Sequence, residues 1–191
     1  MCYYLFVNIT SLVKNYVESE CRKPTSKYGY QIFEFHFGLV VKYARTLSEE
    51  LGADTEIVTL AAWLHDIGSV VNGRKDHHLI GAEIAEKKLA ELSYPADKTK
   101  LVVDCILHHR GSTNSKRETL EEKIVAEADA MSAFDSIGGL FEAAFTYEKL
   151  NQEEAEKSVM KKLQNKYRQL HFAKSKAIIK PKYDAAMLLL K

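Results

Sequence analysis

Thr55-Glu56-Ile57-Val58-Thr59-Leu60-Ala61-Ala62-Trp63-Leu64-His65-Asp66-Ile67-Gly68 is the stretch that decides how this sequence of 191 residues folds. Ile57, Leu60, Ala61 and Leu64 recur at three- and four-residue spacing, which places them on one face of an α-helix, and His65 continues that face. Asp54 or Thr55 is expected to cap the helix and Gly68 to end it. Asp66 then lies in the last turn, where a carboxylate faces the negative end of the helix dipole at a cost of roughly 0.3–1 kcal/mol. It follows the apolar run Ala61-Ala62-Trp63-Leu64, which suggests burial, and a buried carboxylate needs a cation or strong donors. His65 and Asp66 are therefore candidates for chemistry rather than packing.

The same periodicity extends in both directions. Upstream, a first helix is expected over 9–21, a loop over 22–30 around Pro24, Ser26 and Gly29, and a second helix over 31–51. On that second helix Ile32, His36, Leu39, Val40, Tyr43 and Leu47 share a face, and Gly52 ends it. Downstream, Asp76 is expected to cap a helix on which His77, Ile80, Gly81, Ile84, Lys88 and Leu92 fall in phase. Pro95 separates it from a helix over 97–109, followed by a polar loop over 111–117. A further helix begins near Leu120, with Ile124, Ala128, Met131 and Asp135 in phase and Asp129 beside that stripe. Two more are expected over 152–171 and 182–190. No β-branched, period-2 run appears. The expected fold is all-α: a compact helical bundle forming a single domain over 1–191, with the motif-bearing core at 31–145 and a C-terminal helical extension.

Composition agrees. Only 9 Gly and 3 Pro occur, about half the usual share of roughly 12%, so long helices and few tight turns are expected. Hydrophobic residues make up 46% and charged residues 28%. The net charge of +1 excludes a nucleic-acid binder driven by bulk positive charge. The charge is uneven: residues 150–191 carry 10 Lys/Arg against 4 Asp/Glu, which reads mainly as solvated helix faces. Cys2, Cys21 and Cys105 form no C-x-x-C pair, which points to a reducing compartment and a cytoplasmic location. Residues 1–7 are apolar but carry no basic flank or cleavage site, and the apolar stretch ends by Lys14, too short to span a membrane.

Six of the seven histidines lie between positions 36 and 109, and several sit on the apolar stripe of their helix. Neutral imidazoles on successive helices facing a common core are how a helical bundle builds a metal site. Asp129, mid-helix among Ala126, Ala128 and Ala130, is a second candidate carboxylate. Helix phase does not choose between His108 and His109: Val102, Ile106 and His109 share one face, while Leu101, Cys105 and His108 share another.

Trp63-Leu64-His65-Asp66-Ile67-Gly68 resembles the signature of HD-domain phosphohydrolases in its HDIG form. The resemblance runs from about His36 to Leu140. It takes in His77-His78-Leu79-Ile80-Gly81-Ala82, His108-His109-Arg110-Gly111 and Glu127-Ala128-Asp129-Ala130. The later segments are similar to the HD domain of ribonuclease Y, and the chain as a whole is more similar to small stand-alone microbial HD hydrolases. The resemblance implies that His36, His65, Asp66 and Asp129 hold one divalent metal. Asp66 would bridge to a second ion held by His77 and His109. His109 is preferred to His108 because an ungapped match puts it at the family's first His, with Arg110 replacing the second. His77 is preferred to His78 because it stands four before Gly81.

Such a set of imidazoles and carboxylates suits one or two ions of Mn, Fe, Co, Ni, Zn or Mg. The implied activity is hydrolysis of phosphate esters or anhydrides by metal-activated hydroxide, with Asp66 catalytic and Arg110, Lys75 and Arg74 available to phosphate. Small nucleotides or other phosphorylated metabolites are the expected substrates. Neither nucleic acid nor membrane is expected as a partner, and homo-oligomerisation is left open. Two departures bear on substrate. Phe134-Asp135-Ser136-Ile137-Gly138 stands where ribonuclease Y has an Arg-Pro-Gly stretch. Ser69, Val70 and Val71 stand where nucleotidase-type HD proteins place a carboxylate after the doublet. The alternatives are an HD-type di-iron oxygenase and a non-catalytic, metal-stabilised regulatory module.

Overall fold

A computed structural model describes residues 8–110 and 116–190, and within them the protein is all-α. The apolar residues 1–7, with Cys2, and most of the polar loop at 111–117 lie outside the described residues. The helices are α1 (Ile9–Arg22), α2 (Gly38–Leu51), α3 (Thr55–Leu64), α4 (Ile67–Asn72) and α5 (His77–Glu91). They continue with α6 (Ala96–His108), α7 (Leu120–Ser132), α8 (Ile137–Thr146), α9 (Gln152–Arg168) and α10 (Ala173–Leu189). A π-helical turn, Phe33–Phe37, leads directly into α2.

Local chemistry sets most of these limits. Asp54 accepts hydrogen bonds from Glu56 N and Ile57 N at the start of α3. Thr119 with Glu122, and Asn151 with Glu154, form reciprocal capping boxes at the starts of α7 and α9, satisfying backbone donors that a helix leaves open. Gly52 closes α2 in the left-handed conformation, φ 75°, which glycine adopts without a Cβ penalty. The core joins Phe37, Val40, Leu47, Ile57, Leu60, Leu64, Ile106, Ile124 and Met131, all buried. α2 packs against α3 and α7, and α5 against α4 and α6.

Several expectations are corrected. The helix containing Leu64 stops at that residue, and Asp66 stands at the head of α4 rather than in the last turn of α3. Its carboxylate therefore meets the favourable end of a helix dipole. Gly68 does not end a helix; it lies within α4, where a side chain would strike the His77 carbonyl of α5. Asp76 precedes α5 in a left-handed conformation and makes no side-chain cap. The buried stripe of α5 is His77, Gly81, Ala85 and Leu89, so the expected phase through Ile80, Ile84 and Lys88 is off by about one position. Asp135 lies beyond the end of α7 and pairs with Tyr43 and Lys182. α8 was not expected: Gly138 and Gly139 mask its start, and Ala144 is its buried anchor. α10 runs through Pro181 instead of starting after it. A mid-helix proline loses one backbone bond, and burial of Ile179 before it and Ala186 after it keeps both halves on the same face.

Candidate metal centre

The six candidate ligands reach the centre from five different pieces of backbone. His36 comes from the π-helical turn, which shifts the register before α2 begins; such wide turns recur at functional sites. His65 and Asp66 come from the break between α3 and α4, His77 from the start of α5, and His109 from the end of α6. Asp129 lies in the last turn of α7, not mid-helix as its sequence context suggested. The closeness of α4 and α5 at Gly68 and Gly81 brings His77 next to Asp66.

The four imidazoles converge on Asp66. Its Oδ2 lies 3.4 Å from His36 Nε2 and 3.8 Å from His65 Nε2. Its Oδ1 lies 3.2 Å from His77 Nε2 and 3.7 Å from His109 Nε2. One carboxylate thus divides its oxygens between two pairs of rings. His36, His65 and Asp66, and separately Asp66, His77 and His109, are each close enough to share one ion. Asp129 sits at the edge, its Oδ1 3.9 Å from His36 Nε2 and its Oδ2 2.6 Å from Lys166 Nζ.

The other ring nitrogens fix the tautomers. His65 Nδ1 is 2.9 Å from Ala62 O, His77 Nδ1 2.8 Å from Arg74 O, and His109 Nδ1 2.6 Å from Ile106 O. A carbonyl oxygen only accepts, so each Nδ1 carries the proton and each neutral ring turns an Nε2 lone pair to the centre. His36 follows the same logic. Ser132 Oγ donates to Asp129 O at 2.8 Å and is left to accept from His36 Nδ1 at 3.4 Å. The Nε2 atoms of His36 and His65 are then 3.0 Å apart, two lone pairs facing one another, an arrangement relieved by an electrophile between them. Locked tautomers with inward lone pairs are the second-shell pattern of metal-binding histidines. The donor set, nitrogen and oxygen without thiolate, therefore fits a divalent cation.

The electrostatics agree with that fit. His65 is fully buried, and burial drives its pKa down to about 4, keeping it neutral. Burial also lowers His77, outweighing the charge of Asp66. Burial alone would lower His109, but the hydrogen bond and charge of Asp66 prevail and raise it. Burial works to raise the Asp66 carboxyl, yet the imidazoles of His65, His109 and His36 hold it well below the usual carboxylate range. Asp129 is likewise held down against burial, with Lys166 the foremost cause and His36 next. Both carboxylates are thus charged at neutral pH.

Five of the six expected ligands come within reach of a shared ion and Asp129 stands beside them at the edge, whereas His78 and His108 turn elsewhere. His78 Nδ1 is 3.4 Å from Arg110 Nη1, and His108 Nδ1 is 2.8 Å from the buried Glu122 carboxylate. Arg110 lies beside His78 at the rim, and the side chains of Arg74 and Lys75 are exposed. The sequence reading missed three contributors. Lys166 pairs with Asp129. Ser132 orients His36. Arg117 donates to the carbonyls of His108, His109 and Arg110 at 2.8, 3.3 and 3.0 Å, closing the C-terminal end of α6 beneath His109. Ser132 lies three residues beyond Asp129, a local signal that could have been read; Lys166 and Arg117 carry no such signal. Trp63 and Cys105 are buried core residues and His171 is exposed, as their sequence context suggests. Among the described residues no helix is long and apolar enough to cross a membrane.

Comparison with known proteins places this geometry. The family model described as the HD domain matches residues 35–133, more than half of the chain. The tRNA (cytidine(56)-2'-O)-methyltransferase of Picrophilus torridus is 31% identical over 134 residues, covering 63% of this chain and 37% of that protein. Ribonuclease Y of Rubrobacter xylanophilus is 34% identical over 113 residues, covering 58% of this chain and 20% of that protein. The chain thus spans between a fifth and a little over a third of the length of these curated relatives. Bacillus subtilis YpgQ, solved in complex with ADP, shares the fold with a TM-score of 0.67 at 20% identity, covering 94% of this chain and 92% of that one. With the matched segment containing all six candidate ligands, the chain belongs to the HD domain family.

Proposed function

We propose that the protein is a metal-dependent phosphohydrolase acting on small phosphorylated molecules, with nucleotides the leading class. The observation that carries this reading is the division of the Asp66 carboxylate between His36 and His65 on one side and His77 and His109 on the other. Asp66 would then serve both groups of histidines in holding metal, with Asp129 beside the His36–His65 side. Hard carboxylates mixed with imidazoles suit Mn, Fe, Co, Ni, Zn or Mg. When bound, a divalent cation supplies Lewis acidity toward a phosphoryl oxygen and lowers the pKa of water within its reach.

The protein's own residues do the rest. The carbonyls of Ala62, Arg74 and Ile106 hold three imidazoles in one orientation, so the donors need not reorganise when a ligand arrives. Arg110, at the rim beside His78, and the exposed Arg74 and Lys75 receive phosphate charge. The guanidinium of Arg110 offers paired donors matching phosphate oxygens. YpgQ, of the same fold, binds ADP, which favours nucleotides over other phosphate esters. Ribonuclease-type cleavage is disfavoured by Phe134-Asp135-Ser136-Ile137-Gly138 replacing the Arg-Pro-Gly stretch and by a net charge of only +1.

The test is a panel of nucleoside mono-, di- and triphosphates, aryl phosphates and a short RNA. The protein is stripped with chelator and then supplied with each metal in turn. Hydrolysis of at least one small ester or anhydride should vanish with chelator and return with Mn²⁺ or a similar ion. Metal-independent turnover, or none with any metal, sinks the proposal. Metal retention without turnover would indicate a regulatory module, and iron-dependent consumption of O₂ an oxygenase.

A further inference from the structure

We propose that Lys166 of α9, outside the segment matched by the HD family, is a positioning residue of the metal centre, fixing which oxygen of Asp129 faces the ions. The inference rests on the metal-centre reading above and adds a residue to it. Asp129 sits in an α7 segment whose neighbours Ala126, Ala128 and Ala130 offer its carboxylate no side-chain donor. Its side chain is 14% exposed, with Oδ2 against Lys166 Nζ at 2.6 Å and Oδ1 turned toward His36 Nε2 at 3.9 Å. A charge-assisted bond this short is strong and directional. It commits one oxygen to the ammonium and leaves the other for the centre.

Lys166 is in turn held in place by a second latch on the same stretch of α7. Glu127, buried and two residues before Asp129, accepts from His171 N at 2.6 Å and from Phe172 N at 3.1 Å. These are the backbone amides of the turn between α9 and α10. The Glu127 latch anchors the C-terminal end of α9, and the Lys166 latch lies within its last two turns. Together they tie the C-terminal helices to the Glu127-Ala128-Asp129 motif from both sides, so α9 completes the centre rather than merely covering it. Lys166 also balances the charge of one of the two carboxylates at the centre. Partners that orient a ligating carboxylate typically account for about 10- to 100-fold in metal affinity.

The experiment is a calorimetric Mn²⁺ titration of the chelator-stripped full chain, comparing wild type, Lys166→Met, Lys166→Arg, Asp129→Asn and the Met/Asn double variant. Lys166→Met should keep its circular dichroism spectrum and bind one Mn²⁺ equivalent about 10- to 100-fold more weakly. Lys166→Arg should recover most of that loss, and Lys166→Met should add nothing in the Asp129→Asn background. If Lys166→Met does not fold, Lys166→Gln carries the same comparison with a neutral donor in place. Mn²⁺ binding as tight as wild type or tighter in the neutral variant overturns the proposal, as does a loss fully additive with Asp129→Asn. If wild type itself binds no Mn²⁺, the metal-centre reading falls and this proposal falls with it.

Discussion

Gly68→Ala tests whether the close approach of α4 and α5 builds the centre. A Cβ added at Gly68 would lie 2.1 Å from the His77 carbonyl oxygen and 2.7 Å from Gly81 N, where ordinary contact begins at 3.4 Å. Both obstacles are backbone, so no rotamer change relieves them. α5 must retreat from α4 by roughly 1.3 Å to restore normal spacing. Overpacking of this kind costs about 1–3 kcal/mol, and an unyielding backbone places it toward the upper end. At about 2–4 °C per kcal/mol for a chain of this size, the melting temperature should fall by about 4–12 °C. The retreat also carries His77 away from Asp66, to which its Nε2 now stands at 3.2 Å, while leaving His36 and His65 in place. Scanning calorimetry of the stripped protein reads the first effect, and Mn²⁺ per chain by elemental analysis reads the second, with one of two ions expected to be lost. Gly81→Ala is the control: its Cβ would meet Gly68 N at 3.4 Å and Ile106 Cγ2 at 3.5 Å. It should be neutral, or stabilising by up to about 1 kcal/mol from helix propensity. A Gly68→Ala protein that melts at or above wild type with unchanged Mn²⁺ refutes the reasoning.

Three other perturbations probe the same centre. His109→Ala should remove about one metal equivalent and most activity, whereas His108→Ala, which loses a contact to Glu122 rather than to Asp66, should keep the metal; elemental analysis showing the reverse would reassign the ligand. Asp66→Ala removes the shared carboxylate and should abolish Mn²⁺ retention together with the thermal stabilisation that Mn²⁺ gives the wild type, because binding free energy is also folding free energy. In the metal-free protein, His65 titrates near 4 when folded and near 6.5 when unfolded, and His77 is shifted in the same direction. The unfolded chain therefore binds more protons between about pH 6.5 and 4, and stability should fall as pH drops through that window, by up to about 1.4 kcal/mol per pH unit for each proton. His109, raised when folded, contributes stability that is complete below its unfolded value and lost above, so it leaves this slope unchanged. Urea titrations at pH 6, 5 and 4.5, all below the unfolded value of His109, measure the slope, and a flat or inverted profile contradicts the burial of His65.

The sequence by itself determined the helical fold and the chemistry of the donors. Apolar spacing is a property of each helix taken alone, so Ile57, Leu60, Ala61 and Leu64 announce their face without knowing what covers it. Capping is local too, which is why the helix start at Asp54 or Thr55 and the stop at Gly52 could be read directly. Placing a histidine on an apolar stripe is likewise a statement about one helix, and His36, His65, His77 and His109 were all legible on that basis or by resemblance. At Gly68 and Pro181, where the reading failed, a distant group had overridden the local signal. Gly68 looks like a helix stop, but what demands a glycine is the His77 carbonyl on the next helix. Pro181 looks like a boundary, but packing on both sides carries the helix through it. The choice between His108 and His109 could not come from phase, because both faces of α6 carry apolar neighbours; it depends on which face meets α3 and which meets Glu122. Lys166 reaches Asp129 across 37 residues of chain, and the π-helical turn that aims His36 has no sequence period of its own. Helical period fixes which way a side chain leaves its own axis, but only the crossing of helices fixes which side chains meet.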